Sequence, residues 1–175
     1  MNVRSSTGHI VLVGLSGSGK STIGRRLAAR LGRAFVDTDD LIVARAGKPI
    51  PRVFAEDGEH VFRAIERDAV AEAVGREASV IATGGGAPMD QQNRMALWDR
   101  TYVVWLDAAV ETLVRRVGRG GAGRPLLAGS ASERLTALRA EREAVYAGAH
   151  LHLDTTALTT GDAVETIRHK IASEK

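Results

Sequence analysis

The chain has 175 residues, with 24 Lys and Arg against 21 Asp and Glu, and it contains no cysteine. This length predicts one compact domain with a full core, spanning residues 1–175. The absence of cysteine excludes a disulfide framework, a thiolate metal site and a cysteine nucleophile. The apolar runs are far too short to span a bilayer, and the N-terminal residues lack the apolar stretch of a signal peptide, so we expect a cytoplasmic protein that does not bind membranes.

Five short apolar segments alternate with helical patterns along the chain. The predicted strands cover His9–Val13, 34–36, 80–82, 101–106 and 150–153. The predicted helices cover Lys20–Leu31, about 40–46, 59–74, 89–98, 108–117 and 130–147, and a last stretch from about 162. Buried strands separated by helices are typical of a parallel sheet covered on both faces. The sequence therefore predicts a three-layer α/β domain.

The segment after the first strand matches a phosphate-binding loop. Residues 14–21 read Gly-Leu-Ser-Gly-Ser-Gly-Lys-Ser, which fits G-x-x-x-x-G-K-[ST] between a strand and a helix. Glycines let backbone N–H groups surround a phosphate, and the helix N-terminus adds partial positive charge. We expect this loop to bind a nucleoside triphosphate through six residues: Gly17, Ser18, Gly19, Lys20, Ser21 and Thr22. Lys20 would reach the β- and γ-phosphates, and the Ser21 hydroxyl would ligate Mg²⁺.

Two acidic segments could supply the carboxylate on the Mg²⁺ side. Asp107 follows an apolar strand, where it fits either a metal-side acid or, better, the N-cap of the next helix. Asp37 and Asp39 follow the second strand, and in an extended segment alternate side chains point to the same side. That pair offers one carboxylate to the metal and one to a hydroxyl group, so we favour it for the chemistry.

Length and motifs narrow the class of phosphate-loop protein. The guanine-reading Asn-Lys-x-Asp of GTPases is absent, since the two asparagines are Asn2 and Asn93. A small kinase is therefore the simplest interpretation. Arg outnumbers Lys by 20 to 4, and aromatic residues make up 4% of the chain, which leaves little material for stacking nucleic-acid bases. We expect an anionic small molecule, and no nucleic acid, as the partner.

Four further motifs follow the phosphate loop in a recognisable order. They are Asp37-Thr38-Asp39, the stretch 58–66 (GEHVFRAIE), Thr83-Gly84-Gly85-Gly86-Ala87 and Arg124-Pro125-Leu126-Leu127, with Arg142 in a later Glu-Arg-Glu. Together these motifs resemble the shikimate kinase family over nearly the whole chain. The resemblance implies a phosphate-loop kinase fold with strand order 2-3-1-4-5, and transfer of the ATP γ-phosphate to the 3-hydroxyl of shikimate in the pathway to aromatic amino acids.

The resemblance also implies roles for individual residues. Asp37 would lie on the Mg²⁺ side, and Asp39 would bind the substrate hydroxyls and act as base or orienting group. Arg63 and Arg142 would hold the carboxylate, because a planar guanidinium can bind it with two hydrogen bonds. Glu66, three residues after Arg63 on one helix face, would orient that guanidinium. The three glycines Gly84, Gly85 and Gly86 would pack close to the substrate ring.

A lid over about 116–128 departs from the family pattern, because it is longer and richer in glycine. Arg124 would reach from it to the transferring phosphate. One arginine would cover the adenine; we select Arg116, with Arg115 and Arg119 as alternatives. The stretch after the fifth strand, 153–156, resembles the family's adenine loop and fits a plain turn equally well. Acceptor-binding helices are expected over about 38–74.

Two other functions stay open at this point. Another small sugar-acid kinase, such as a gluconate kinase, would also bind hydroxyls and a carboxylate, and a catalytically silent nucleotide-binding module would retain the loop. His150 and His152 lack a third metal ligand, so we assign them to a strand edge or the surface. Trp98 and Trp105 are assigned to packing. We expect a monomer that needs Mg²⁺ and binds ATP and shikimate.

Overall fold

A computed structural model describes residues 8–119 and 128–174 of the chain. Its sheet has five strands: β1 (His9–Val13), β2 (Ala34–Asp37), β3 (Ser79–Ala82), β4 (Thr101–Asp107) and β5 (Leu151–Asp154). All four pairings are parallel, and the order is β2-β3-β1-β4-β5. The predicted strand order and sheet type are therefore confirmed.

Helices connect the strands and cover both faces of the sheet. They are α1 (Lys20–Leu31), α2 (Thr38–Ala46), α3 (Ile50–Glu56), α4 (Gly58–Gly75), α5 (Gln91–Arg100), α6 (Val110–Arg119), α7 (Ala128–Tyr146) and α8 (Thr160–Ser173). A single 3₁₀ turn, Ala87–Met89, precedes α5. No helix within 8–119 and 128–174 combines the length and the apolar character that a membrane crossing requires.

Strand β1 shows why the sheet needs cover on both faces. All five of its residues are buried. Val11 and Val13 belong to one apolar cluster, whereas Ile10 and Leu12 belong to the other. This separation follows from the alternation of side chains along a strand. The first cluster includes residues of α4, α5 and α7, and the second includes residues of α1 and α8.

A helix that the sequence did not predict, α3, begins within the predicted break at 47–51. Gly47 ends α2 with a φ of 66°, as the sequence indicated. Pro49 then stands at the N-cap of α3, with Pro51 in its first turn, where the missing N–H costs nothing. The helices over 38–74 are thus three, and α3 was missed because seven residues are too few to display a helical period.

Two local predictions about acidic residues are wrong. Helix α6 begins at Val110, so Asp107 is the last residue of β4 and does not cap that helix. Helix α2 begins at Thr38, with Asp37 as its N-cap and Asp39 in its first turn. The extended segment that was expected to align Asp37 and Asp39 is therefore absent, and a helix start brings the two carboxylates together instead.

Strand β1 lies between β3 and β4, where the connections leave the sheet in opposite directions. Ligands of open α/β sheets bind beyond the carboxyl ends of the strands at such a switch point. The phosphate loop after β1 and the three glycines after β3 lie at this position.

Candidate active site

The backbone of the phosphate loop depends on glycine at three positions. Gly14, Gly17 and Gly19 have φ values of 146°, 84° and 95°, which side chains rarely tolerate. A Cβ on Gly14 would also lie 2.3 Å from the carbonyl oxygen of Leu106, and one on Gly17 would lie 2.9 Å from that of Leu113. The loop is therefore pressed against the ends of β4 and α6.

Lys20 begins α1 and folds back over the phosphate loop. Its Nζ donates hydrogen bonds to the carbonyl oxygens of Gly14 at 2.9 Å and Leu15 at 3.0 Å. Burial lowers the pKa of Lys20 to about 8, while the carboxylates of Asp39 and Asp37 oppose that shift. The ammonium group is thus held close to the loop that would carry the phosphates.

Two side chains with oxygen atoms that could ligate a metal, Ser21 and Asp37, meet beside the N-terminus of α1. Ser21 Oγ donates to Asp37 Oδ2 at 2.8 Å, and Asp37 Oδ1 accepts from the backbone N–H of Asp39 at 3.1 Å. Hydroxyl and carboxylate oxygens are ligands that suit Mg²⁺, which keeps several waters and binds through substrate phosphates. In the described residues, no group of three or more His, Asp or Glu side chains could hold a metal by itself. The donor set fits a magnesium ion carried by a nucleotide.

The three glycines after β3 each face one predicted substrate residue. A Cβ on Gly84 would lie 3.0 Å from Asp39 Oδ1, and one on Gly85 would lie 2.9 Å from Arg142 Nη1. A Cβ on Gly86 would lie 3.2 Å from Arg63 Nη1. The structure therefore brings α2, α4 and α7 together around this turn, which we call the glycine turn (Gly84–Gly86).

The glycine turn also contacts the phosphate loop. A Cβ on Gly85 would lie 3.1 Å from the carbonyl oxygen of Gly14. Lys20 and Asp39 are close enough that each shifts the pKa of the other. The nucleotide side and the acceptor side of the site are therefore adjacent.

Asp39 has an environment that disfavours its negative charge. Burial raises its pKa, the neighbouring carboxylates of Asp37 and Asp40 raise it further, and Lys20 opposes the shift. A carboxylate with these neighbours can accept a hydrogen bond from a hydroxyl group. Because its pKa is raised, it also binds a proton more readily than an exposed aspartate does.

Glu66 orients Arg63, as the spacing predicted. Arg63 Nη1 donates to Glu66 Oε1 at 2.7 Å, and Nη2 donates to Glu59 at 3.4 Å. Glu66 is only 2% exposed, and burial raises its pKa while Arg63 opposes the shift. The two carboxylates hold the guanidinium in place and leave Arg63 beside Gly86.

Tyr146 is a residue of the site that the sequence did not single out. Its side chain is 1% exposed, and its hydroxyl donates to the carbonyl oxygen of Gly85 at 2.5 Å. Its ring lies 5.8 Å from that of Trp105. Arg142 lies one helical turn earlier, and its buried Nε has no partner within the described residues. Tyr146 and Arg142 thus approach the glycine turn from the same helix.

A cavity of about 160 Å³ lies beside the phosphate loop. It is lined by Gly19 and Thr22 on one side and by Arg116, Thr155 and Leu158 on the other. Arg116 donates to Thr155 Oγ1 at 3.0 Å and to the Thr155 carbonyl oxygen at 2.8 Å. Arg116 and the stretch after β5 therefore lie together beside this cavity, which could accept a flat ring such as adenine.

The other two candidates for the adenine contact are placed differently. Arg115 donates to Thr112 on its own helix at 3.3 Å, and the side chain of Arg119 lies outside what the structure describes. Arg124 and the centre of the predicted lid, 120–127, also lie outside the described residues.

The two tryptophans and the two histidines near β5 pack as expected. Trp105 is 4% exposed and Trp98 is partly buried against the same cluster. His150 and His152 lie at or beside the edge strand β5; His150 Nδ1 accepts from the Val103 N–H, and His152 stacks on Trp105. A wider depression of about 590 Å³ along α8 contains none of the predicted site residues.

Comparison with known proteins decides the family. The family model described as shikimate kinase matches residues 16–172. This chain belongs to the shikimate kinase family. The shikimate kinase of Symbiobacterium thermophilum is 48% identical over 166 residues, covering 93% of this chain and 95% of the relative. That of Mycobacterium avium is 46% identical over 159 residues, covering 90% and 89%.

Solved structures agree with this membership. The shikimate kinase of Acinetobacter baumannii, solved in complex with shikimate, superposes with a TM-score of 0.89 at 36% identity, over 97% of this chain and 95% of the other. A gluconokinase from Sinorhizobium meliloti reaches a TM-score of 0.62 at 21% identity, over 97% and 94%, which shows a shared fold alone. Members of the shikimate kinase family are kinases, and the phosphate loop and glycine turn described above fit that class of enzyme.

Proposed function

We propose that this shikimate kinase family member transfers the γ-phosphate of ATP to the 3-hydroxyl of shikimate, releasing ADP. The observation that carries the proposal is the glycine turn, where each glycine faces one charged side chain. A Cβ on Gly84, Gly85 or Gly86 would lie 3.0 Å from Asp39, 2.9 Å from Arg142 or 3.2 Å from Arg63, respectively. One carboxylate and two guanidinium groups around a turn without side chains suit a flat acid that carries hydroxyl groups.

The acceptor would bind with its carboxylate toward α4 and α7. Arg63 and Arg142 supply planar donors that can hold a carboxylate through paired hydrogen bonds. Glu66 and Glu59 already fix the direction of Arg63, so little side-chain entropy is lost when the acid binds. Gly84, Gly85 and Gly86 allow the ring to approach the backbone closely.

Asp39 would align the acceptor hydroxyl with the phosphate. Its position beside Gly84 and close to Lys20 supports this role, because Gly84 belongs to the proposed acceptor side and Lys20 to the proposed nucleotide side. The transition state of phosphoryl transfer is loose, so positioning of the hydroxyl contributes more than early removal of its proton. Asp39 accepts the hydroxyl hydrogen bond in either case.

The phosphate loop would bind the triphosphate. Backbone N–H groups of Gly17, Ser18 and Gly19 surround the phosphates, and Lys20 neutralises charge that develops in the transition state. Ser21 and Asp37 would hold Mg²⁺, Asp37 through water. That ion, when bound, offsets the charge of the phosphate oxygens. Thr22 and Arg116 border the cavity for the adenine ring, over which the Arg116 guanidinium can stack.

Arg124 would contribute a further positive charge to the transferring phosphate. This part of the proposal rests on the Arg-Pro-Leu-Leu motif. The described residues of both sides of the site come from one chain, and we propose that the enzyme acts as a monomer.

The test is an ADP-release assay with ATP and Mg²⁺, run with shikimate, with gluconate and without acceptor. We expect shikimate to stimulate ADP release strongly and gluconate to leave it at the level without acceptor. Lys20→Met should abolish the stimulation, whereas Lys170→Met, which removes an exposed lysine of α8, should retain it. Equal or better turnover of gluconate would assign the chain to sugar-acid phosphorylation, and no stimulation by either acid would indicate a silent nucleotide-binding module.

A further inference from the structure

Asp107 is a buried carboxylate that the proposed chemistry does not use. It is 7% exposed and ends β4. Its Oδ1 accepts from the N–H of Ala108 at 2.9 Å, and its Oδ2 accepts from Arg139 Nη2 at 2.6 Å. His152 Nε2 lies 3.3 Å from the same Oδ2. Both carboxylate oxygens therefore have hydrogen-bond partners within the protein.

The partner of Asp107 lies on the helix that carries the acceptor residues. Arg139 precedes Arg142 by three residues and Tyr146 by seven, so the three side chains share one face of α7. Arg139 also donates to the carbonyl oxygen of Ala108 at 3.3 Å. Two hydrogen bonds therefore connect this face of α7 to the end of β4, about one turn before Arg142 and two turns before Tyr146.

The main chain of Asp107 contacts Thr155, which lines the cavity beside the phosphate loop. Its carbonyl oxygen accepts from the N–H of Thr155 at 2.8 Å and from Thr155 Oγ1 at 2.9 Å. Thr155 in turn accepts two hydrogen bonds from Arg116. One residue thus contacts α7 through its side chain and the adenine cavity through its main chain.

The Asp107 side chain is buried and that of Arg139 is 32% exposed, so desolvation of the carboxylate offsets part of the attraction between the charges. Such a pair can, however, fix one arrangement of the elements that it joins, since the alternatives leave the buried carboxylate without its partner. Helix α7 packs on the sheet mainly through apolar side chains such as Leu135 and Leu138, which tolerate small shifts. The ion pair supplies a directional contact that the apolar contacts lack.

We propose that Asp107 is a positioning residue for the acceptor site: through Arg139 it fixes α7 in the placement that brings Arg142 and Tyr146 to the glycine turn. This inference rests on the proposed function for the role of Arg142. Because the side chain of Asp107 contacts Arg139 and its main chain contacts Thr155, a substitution of the side chain should affect one substrate more than the other. Removing the carboxylate disturbs the acceptor side, whereas the carbonyl oxygen that holds Thr155 and Arg116 stays in place.

The experiment is steady-state kinetics and shikimate binding by calorimetry for Asp107→Asn, with the melting temperature recorded. We expect the KM and the dissociation constant for shikimate to rise about tenfold, with the KM for ATP nearly unchanged. Arg139→Met should give the same selectivity and Arg139→Lys should recover part of the loss. Arg134→Met, on an exposed position of α7, is the matched control and should behave as wild type.

A double mutant separates positioning from general damage. If Asp107 acts through α7, Asp107→Asn should weaken shikimate binding much less in an Arg142→Ala background than in the wild type. Additive losses, or equal rises in the KM for ATP and for shikimate, would overturn the proposal. The proposed function is refuted by a different result, namely a wild-type enzyme that prefers another hydroxy acid. In that case the role of Asp107 would still be tested by comparing the KM for that acid with the KM for ATP in the same variants.

Discussion

The hydroxyl of Tyr146 donates to the carbonyl oxygen of Gly85 at 2.5 Å, which joins the end of α7 to the turn after β3. The phenol is buried, and burial raises its pKa, so it remains a neutral donor. Gly85 lies against both Arg142 and the phosphate loop. A single hydrogen bond from the core therefore supports the backbone at the junction of the two proposed substrate sites.

Tyr146→Phe tests this relationship, because it removes the hydroxyl and keeps the ring against Trp105. Loss of one buried hydrogen bond should lower the free energy of unfolding by about 1 kcal/mol. We expect the KM for shikimate to rise several-fold, with a smaller effect on the KM for ATP, as measured by steady-state kinetics and denaturant unfolding.

Tyr102→Phe is the matched control, since Tyr102 donates to Glu174 on the surface, far from the glycine turn. It should leave both KM values unchanged. An unaltered KM for shikimate in Tyr146→Phe would show that the hydrogen bond serves stability alone.

Gly85→Ala should damage acceptor binding through direct collision. The added Cβ would lie 2.9 Å from Arg142 Nη1 and 3.1 Å from the carbonyl oxygen of Gly14. Arg142 can move away, but the backbone of the phosphate loop cannot, so the turn itself must shift. We expect the KM for shikimate to rise about ten- to hundredfold, measured at saturating ATP.

The control for this change is Gly75→Ala at the end of α4, where a Cβ would meet nothing within 4 Å. That variant should retain wild-type kinetics and melt at the same or a slightly higher temperature. Tolerance of alanine at Gly85, with the KM for shikimate unchanged, would exclude close backbone approach at that position.

The sequence predicted the features that follow from local chemistry. The glycines of the phosphate loop are readable because positive φ angles require them, and the pairing of Arg63 with Glu66 follows from their spacing on one helix. The role of Asp107 was not predictable in this way. Its chemistry allowed a metal ligand or a helix cap, and its true partner, Arg139, lies far along the chain among 20 arginines.

One other feature escaped prediction, and a second was predicted from the wrong local structure. The approach of Tyr146 to Gly85 depends on how α7 crosses the sheet, which no local pattern encodes. The proximity of Asp37 and Asp39 was expected for a wrong reason: Asp37 caps α2 and accepts the N–H of Asp39, so a helix start brings the carboxylates together.

The pKa of Lys20 predicts a basic limb in the pH profile. Burial lowers that pKa from 10.5 to about 8 in the free protein, so Lys20 loses its charge above that pH. The value of kcat/KM for ATP reports ionisations of the free enzyme and should fall above pH 8. Bound phosphates stabilise the ammonium form, so the limb in kcat should lie at higher pH.

Lys20→Arg should remove this limb, because a guanidinium stays charged across the range. Its activity will be lower, but its kcat/KM for ATP should be flat where the wild type declines. Lys170→Arg, on the exposed side of α8, should keep the wild-type profile. A decline that persists in Lys20→Arg would assign the limb to another group.

The same shift predicts how stability depends on pH. Between about 8 and 10.5 the unfolded chain keeps the Lys20 proton that the folded protein has released. The unfolded state then binds more protons, so this residue makes the free energy of unfolding increase with pH in that window. Urea unfolding of wild type and Lys20→Met at pH 7.5 and 9.5 measures it: the stability advantage of the methionine variant should shrink as the pH rises.

Asp39→Asn should separate catalysis from stability. The raised pKa of Asp39 means that the folded protein disfavours its carboxylate, mainly through burial and the neighbouring Asp37. Such a group costs stability once the pH exceeds its unfolded value, and an uncharged amide relieves that cost at neutral pH. We therefore expect the variant to melt at a higher temperature while its kcat falls about 10²- to 10⁴-fold.

Asp40→Asn is the control for this last prediction, since the neighbouring side chain is 76% exposed and lies 4.0 Å from Arg25 at the surface. It should leave kcat unchanged. The wild-type kcat/KM for shikimate should also decline on the acid side as Asp39 gains a proton, at a pH above that of an exposed aspartate, and the residual activity of Asp39→Asn should lack this decline. A variant that keeps near wild-type kcat would remove Asp39 from the reaction, and one that loses kcat together with stability would point to collapse of the turn between β2 and α2 instead.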